Sequence, residues 1–177
     1  KESDVVLLVV GTNSDWETEG NDRSDIFLPG KQDELIEKIC KVNSNTIVAI
    51  NTGSPISMSW VDKVKSILQI WFTGQEYGRA LTDIVFGDVN PSGKLPTTFP
   101  MKLEDTPAFS SYPGKNLQMD YDEGLYVGYR WYEKEGIKPL FPFGHGLSYT
   151  TFEYSDLRII PPKTQNSAIS FEVTISN

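Results

Sequence analysis

Residues 5–11 read VVLLVVG, six consecutive apolar residues closed by a glycine. A half-exposed strand alternates apolar and polar residues, whereas an unbroken apolar run predicts a strand buried on both faces, as in a parallel sheet. Two further runs repeat the signal: TIVAIN at 46–51 and SILQIWF at 66–72. A fourth strand is predicted at Leu95–Phe99. Between them, Leu35, Ile36, Ile39 and Val42 follow helical spacing within Gln32–Val42, and Tyr77, Leu81, Ile84 and Val85 do so within Gly74–Phe86. A short helix is expected between the second and third strands. Strand and helix therefore alternate, which predicts an α/β sandwich: a mostly parallel sheet flanked by helices and joined by right-handed crossovers. There is no internal repeat.

Beyond Pro100 the character changes. Residues 101–150 are rich in Pro, Gly and Tyr and have little periodicity, as expected of a long structured excursion. From Thr151, FEYSDLRI and then ISFEVTIS alternate like strands of a further unit. Lys1 stands four residues before the first strand, and Asn177 falls within a strand-like pattern. Both ends are therefore expected to interrupt packed units, with the true N-terminus elsewhere.

The chain has 177 residues, 38% of them hydrophobic, enough for one cored domain or one domain plus a piece of another. A net charge of −8 argues against nucleic acid or an anionic membrane as the main partner. No apolar run is long enough to span a bilayer. The single cysteine, Cys40, lies in an amphipathic stretch and reads as a small core residue. The single histidine, His145, lies between two glycines and reads as a turn residue. One His, one Cys and no ligand spacing weigh against a metal site, and no cofactor motif occurs. Ser54 lacks a nucleophile elbow, and Pro55 removes a donor where an anion would sit. The lone cysteine and the absence of Asn-x-Ser/Thr sequons incline slightly toward the cytoplasm and leave localisation open.

Ligands of parallel α/β sheets bind at the carboxyl ends of strands. The loop after the first strand sits at such an end and is long, from Gly11 to Asp25. It carries Asp15, Glu17, Glu19, Asp22 and Arg23 beside Trp16. An arginine among several acids can orient one carboxylate while the others raise the pKa of a neighbour, which suits a general acid. An aromatic ring beside acids suits the apolar face of a sugar. Composition alone favours the plainer reading, a solvated acidic loop capping the next helix.

The longer strings carry a resemblance. WETEGNDRSDIFLPGKQDELI at 16–36, NTGSPI at 51–56, WFTGQEYGRALTDIVFGDVNPSGKLPTTFP at 71–100, YDEGLYVGYRWYE at 121–133 and FPFGHGLSYTTF at 141–152 resemble, in order, the second, α/β sandwich domain of glycoside hydrolase family 3. The match covers about residues 4–155. Residues 1–155 are accordingly expected to be that sandwich domain without its N-terminal part. Residues 156–177 resemble the start of the fibronectin type III-like β-sandwich domain that many members carry.

The resemblance implies a retaining exo-β-glucosidase acting at the non-reducing end of a β-glucoside or oligosaccharide. It needs no cofactor. An Asp nucleophile would lie on an N-terminal barrel domain absent from this chain, while the loop supplies the general acid/base. Homo-oligomers are compatible with it. Counting back from Arg23 without gaps, Glu19 matches the family's acid/base; Glu17 fits if a gap is allowed. Asp22 and Arg23 would brace the loop, Arg23 orienting a carboxylate, and Trp16 could wall the sugar subsite or pack structurally. The strings Gly87–Leu95 and Phe143–Thr150 read as structural. A β-xylosidase of the same family is the near alternative; a non-catalytic sugar-binding module is the distant one.

Overall fold

The computed structural model describes residues 2–162 and 168–177. Three strands, β1 (Val6–Gly11), β2 (Thr46–Asn51) and β3 (Ser66–Gln69), form a parallel sheet in the order β1-β2-β3. The register runs Val6 to Thr46 through Gly11 to Asn51, and Ile47 to Ser66 through Ile50 to Gln69. Helix α1 (Gln32–Cys40) joins β1 to β2, and a 3-10 turn at Val61–Lys63 precedes β3. Helix α2 (Tyr77–Val85) follows β3. The parallel pairing of the first three strands and both helices thus stand where hydrophobic period placed them, and a short helical turn lies between β2 and β3 as expected.

The core lies on one face of this sheet. Val10, Val48 and Ile50 point the same way by strand alternation, and pack with Ile36 of α1 and with Leu28, Ile56, Met58, Trp60 and Phe99. Trp60 is fully buried, and its indole Nε1–H donates to Asp33 Oδ1 at 2.6 Å. Helix α1 starts with Asp33 and Glu34 and ends with Lys38, so its charges oppose the helix dipole. Desolvation raises the pKa of Asp33 above the usual carboxylate range, while the Trp60 hydrogen bond works the other way.

Three expectations need correction. First, within the residues of this chain β1 is covered on one face only: Val5, Leu7 and Val9 are 53%, 42% and 50% exposed. These residues lie on the face away from α1, and hydrophobic composition cannot say whether anything covers a face. Second, Leu95–Phe99 does not extend the parallel sheet. Its Leu95 and Phe99 N–H groups donate to His145 and Phe141 carbonyls, an antiparallel arrangement reduced to one bridge at Phe99 and Phe141. Pro96 removes a ladder donor, which explains why no regular strand forms. Third, β3 stops at Gln69, and Trp71 turns into the left-handed region at φ 54°.

Residues 101–150 hold one helix that periodicity did not announce, α3 (Tyr129–Glu135), closed by Gly136 at φ 65°. The segment is rooted in the core at both ends. Ser57 Oγ donates to the Met101 carbonyl at 2.9 Å, and Phe141 packs edge-on to Phe99. The two Gly-rich strings are knitted together: the Asn90 side chain bonds Ser148 Oγ and the Tyr149 N–H, each at 2.8 Å. His145 closes a turn onto Pro142 and stacks on Phe141. Cys40 packs half-buried against the core.

The last two strands, β4 (Glu153–Ile160) and β5 (Ser170–Ser176), form a separate antiparallel pair. Tyr154 faces Ile175, yet Ile159 faces Phe171, so the apolar residues of β4 change from even to odd numbers. An irregularity between Ser155 and Arg158, with Asp156 at φ 53°, absorbs the extra residue and keeps one face apolar. Every residue of both strands is exposed.

Candidate active site

The long loop leaves the carboxyl end of β1 from a fixed base. Gln32, the first residue of α1, donates from Nε2 to the Gly11 carbonyl at 2.9 Å and accepts the Gly11 N–H on Oε1 at 2.8 Å. Glycine is required at position 11 because a Cβ would collide with the Asn51 carbonyl of β2. Thr12 N–H donates to that same carbonyl at 3.0 Å. The loop therefore starts locked to both α1 and β2.

Its first limb is tied down. The N–H groups of Trp16 and Glu17 both reach back to the Asn13 carbonyl. Glu17 turns inward: Oε1 accepts from Thr12 Oγ1 at 2.5 Å and from the Gly53 N–H at 3.1 Å, and lies 3.9 Å from Arg23 Nη1. The Glu17 and Arg23 side chains are only 15% and 18% exposed. Glu17 thus clamps the loop after β1 to the loop after β2, with a carboxylate surrounded by donors.

The far limb is tied as well. Arg23 donates to Ser54 Oγ at 3.0 Å and to the Phe27 carbonyl at 3.3 Å. Asp22 Oδ1 accepts from Tyr112 Oη at 2.5 Å, across ninety residues of sequence. That hydrogen bond raises the pKa of the Tyr112 phenol above its ordinary value, because ionisation would set two negative oxygens together.

Between these ties lies Thr18–Asn21, all four residues exposed, with a turn at Glu19–Gly20 and no side-chain hydrogen bond among the described residues. Glu19 is in this span, and its carboxylate has no protein partner. Gly20 supplies φ 83°, a conformation unfavourable to other residues, so the chain can turn immediately after Glu19. Trp16 is 37% exposed and shares an open depression with Thr18, Asn21 and Asp22. The structure therefore brings Glu17 and Arg23 together, leaves Glu19 free on the same loop, and sets Trp16 at the rim.

Sequence reading did not single out Thr12, Gly53 or Tyr112. Thr12 and Gly53 follow two strands whose carboxyl ends must be adjacent in a parallel pair, so their proximity could have been inferred. No spacing rule points to Tyr112. Among the described residues, no group of three or more His, Cys, Asp or Glu could hold a metal ion, and no helix is long and apolar enough to cross a membrane.

The family model described as the glycosyl hydrolase family 3 C-terminal domain matches residues 1–149. Over 176 residues the chain is 48% identical to thermostable beta-glucosidase B of Acetivibrio thermocellus, covering 99% of this chain and 23% of that protein. It is 45% identical to a beta-glucosidase of Rhizobium radiobacter, of which it covers 22%. Among solved structures, it is similar to DesR, a beta-glucosidase from Streptomyces venezuelae in complex with D-glucose, with a TM-score of 0.88 and 42% identity over 98% of this chain and 22% of that one. A Bifidobacterium adolescentis GH3 beta-glucosidase superposes with a TM-score of 0.90 at 39% identity, over 98% of this chain and 26% of that one. The chain spans about a quarter or less of the length of these relatives.

Proposed function

The chain belongs to the glycosyl hydrolase family 3 C-terminal domain family, and on that premise we propose that it supplies the general acid/base of a retaining, exo-acting β-glucosidase. The Asp nucleophile would lie on a barrel domain outside this chain. Glu19 is the acid/base. The observation that carries this choice is the contrast between the two glutamates that match the family's acid/base: Glu17 is engaged by Thr12, Gly53 and Arg23, whereas Glu19 projects unpartnered from a span held at both ends.

A general acid must offer its proton to the departing glycosidic oxygen, so its carboxyl needs access and freedom from competing protein donors. After the aglycone leaves, the same group takes a proton from the water that attacks the glycosyl-enzyme. Retention requires the two carboxyls about 5–5.5 Å apart, so the loop tip must approach the barrel's mouth closely. Trp16, at the rim of the same depression, is assigned to the sugar subsite wall. Arg23, nearly enclosed and bonded to Ser54, acts as a brace that also orients Glu17. The names of the relatives favour a glucoside over a xyloside as substrate.

We assign β4 and β5 to the start of a fibronectin type III-like unit, residues 156–177 with β4 beginning just before. Its support is the bulge at Asp156, which gathers Tyr154, Ile159, Phe171 and Ile175 on one face, as a strand pair facing a second sheet requires.

The test uses the full-length enzyme. Glu19→Gln should lower kcat/KM about 10²–10⁴-fold on β-glucosides with poor leaving groups and far less on activated aryl β-glucosides, whose phenols depart unprotonated. Azide should restore turnover of the activated substrates and yield a β-glucosyl azide, since an anionic nucleophile needs no general base. Rescue of Glu17→Gln instead would exchange the two roles. Rescue of neither would place the acid/base outside this loop.

A further inference from the structure

The span carrying Glu19 is short, and what fixes its two ends fixes where the carboxyl can go. The near end is clamped by Glu17 onto Gly53, and the far end is fixed at Asp22 and Arg23. Of the ties at the far end, Arg23 reaches only Ser54, Phe27 and Glu17, which belong to the loop itself or to the loop after β2. The Asp22 tie is different in kind, because its donor belongs to the 101–128 excursion.

That excursion is well placed to hold a position. It leaves the core at Phe99, which is 1% exposed, and is fastened again by Ser57 Oγ on the Met101 carbonyl. A 3-10 turn at Leu103–Asp105 and a turn in which Ser111 and Tyr112 N–H groups both donate to the Ala108 carbonyl lead to Tyr112. On the way, Leu103, Thr106 and Pro107 line a groove whose opposite wall includes Arg23 and Asp25. The descending limb of the loop and this excursion are therefore neighbours along several residues, and the Tyr112–Asp22 bond is the hydrogen bond that joins them.

We propose that Tyr112 is a positioning residue for the acid/base: its phenol, by holding Asp22, sets the reach and direction of Glu19 three residues earlier. The inference rests on Glu19 being the acid/base. Tyr112 itself touches no reacting atom. Phenylalanine keeps the ring and removes only the hydroxyl that reaches Asp22, so Tyr112→Phe deletes the tether alone. The hydrogen bond to Asp22 raises the phenol pKa, so the donor proton stays in place beyond the ordinary range of tyrosine.

The test again uses the full-length enzyme, with kcat/KM measured across aryl β-glucosides of rising leaving-group pKa. Tyr112→Phe should reduce kcat/KM about tenfold on the poorest leaving groups and less than about twofold on the most activated ones, steepening the leaving-group dependence in the direction of Glu19→Gln. Asp22→Ala should do the same, and adding Tyr112→Phe to it should cause no further loss, because one interaction cannot be removed twice. Asp22→Asn retains the Oδ1 acceptor and should recover most of the activity. An equal loss on all leaving groups, full activity of Tyr112→Phe, or additive losses in the double variant would each overturn the proposal. Glu19→Gln with azide runs beside these variants as the reference. If it is rescued while Tyr112→Phe is indifferent to the leaving group, the tether fails alone; if it is not rescued, the acid/base assignment and the tether fall together.

Discussion

Two consecutive stretches of one loop, Asn13–Glu17 and Thr18–Asn21, are similarly polar, each contains one glutamate, and they behave as opposites. The first folds back on itself and turns the Glu17 carboxylate into the protein, where it meets a hydroxyl, a backbone N–H and a guanidinium, while Asp15 stays exposed. The second makes no side-chain hydrogen bond among the described residues and leaves its carboxylate in the open. On the proposed assignment, a general acid is prepared as much by what is withheld from it as by what surrounds it. Donors gathered around a carboxylate make it a structural anchor; a carboxyl carried between two anchors stays open to a substrate. Glu17 is the means by which Glu19 is both free and placed.

The largest expected effect tests that division directly. On poor leaving groups, Glu19→Gln should lose about 10²–10⁴-fold in kcat/KM, whereas Glu17→Gln should show a milder loss independent of the leaving group, read in the same steady-state series. Equal, leaving-group-dependent losses would erase the contrast. In stability the order reverses. Glu17→Ala removes the acceptor of the Gly53 N–H and should cost about 0.5–1.5 kcal/mol in denaturant unfolding of the full-length enzyme. Glu19→Ala, at an exposed unpartnered site, should stay within about 0.5 kcal/mol.

Gly53→Ala attacks the anchor from the other side. A Cβ there would stand 2.5 Å from Glu17 Oε2 and 2.8 Å from the Phe72 ring. Because one of those neighbours is a movable carboxylate, the cost should be near the low end of overpacking, about 1 kcal/mol, and should come with a leaving-group-dependent loss as Glu17 is pushed away. A stable, fully active Gly53→Ala enzyme would show that the clamp does not govern Glu19.

The smallest effect concerns a third carboxylate just beyond the loop. Asp33 has one strong donor, Trp60 Nε1, but burial outweighs it, so its folded-state pKa lies above its ordinary value of 3.8. Folding then favours the protonated form: the contribution to stability is full below pH 3.8 and is lost as pH rises through the folded value. Asp33→Asn removes this titration, so the stability of the parent relative to the variant should decline as pH increases across that window, as followed by unfolding at stepped pH. A difference that grows with pH would mean that the Trp60 bond outweighs burial, placing Asp33 with Glu17 among the anchored acids.

Sequence alone was decisive where the signal is local and periodic. The continuous apolar runs of β1 and β2, the helical stripe through Ile36 and the turn around His145 each depend on neighbours within a few residues, and each appears as an element of the expected kind. The loop at the end of β1 was equally readable as the candidate site, because ligands of parallel sheets bind at the carboxyl ends of strands. The same reading went astray where a partner at a distance decides the outcome. Val5, Leu7 and Val9 look as buried as Val48 and Ile50 in one dimension, yet the faces they occupy are covered differently. Leu95–Phe99 has strand-like residues but pairs with 141–145 rather than with the parallel sheet, because Pro96 and the return of a segment forty residues later set its bonds.

The site divides along the same line. That a tryptophan, several acids and an arginine share one loop was determined by sequence, since covalent neighbours cannot be separated. Which acid is an anchor and which is free was decided only by tertiary structure, since the deciding groups are Gly53, Ser54 and Tyr112, which are thirty-six, thirty-one and ninety residues from their partners. Hydrogen bonds act over about 3 Å, and no pattern along the chain encodes which distant donor the fold will bring within that distance.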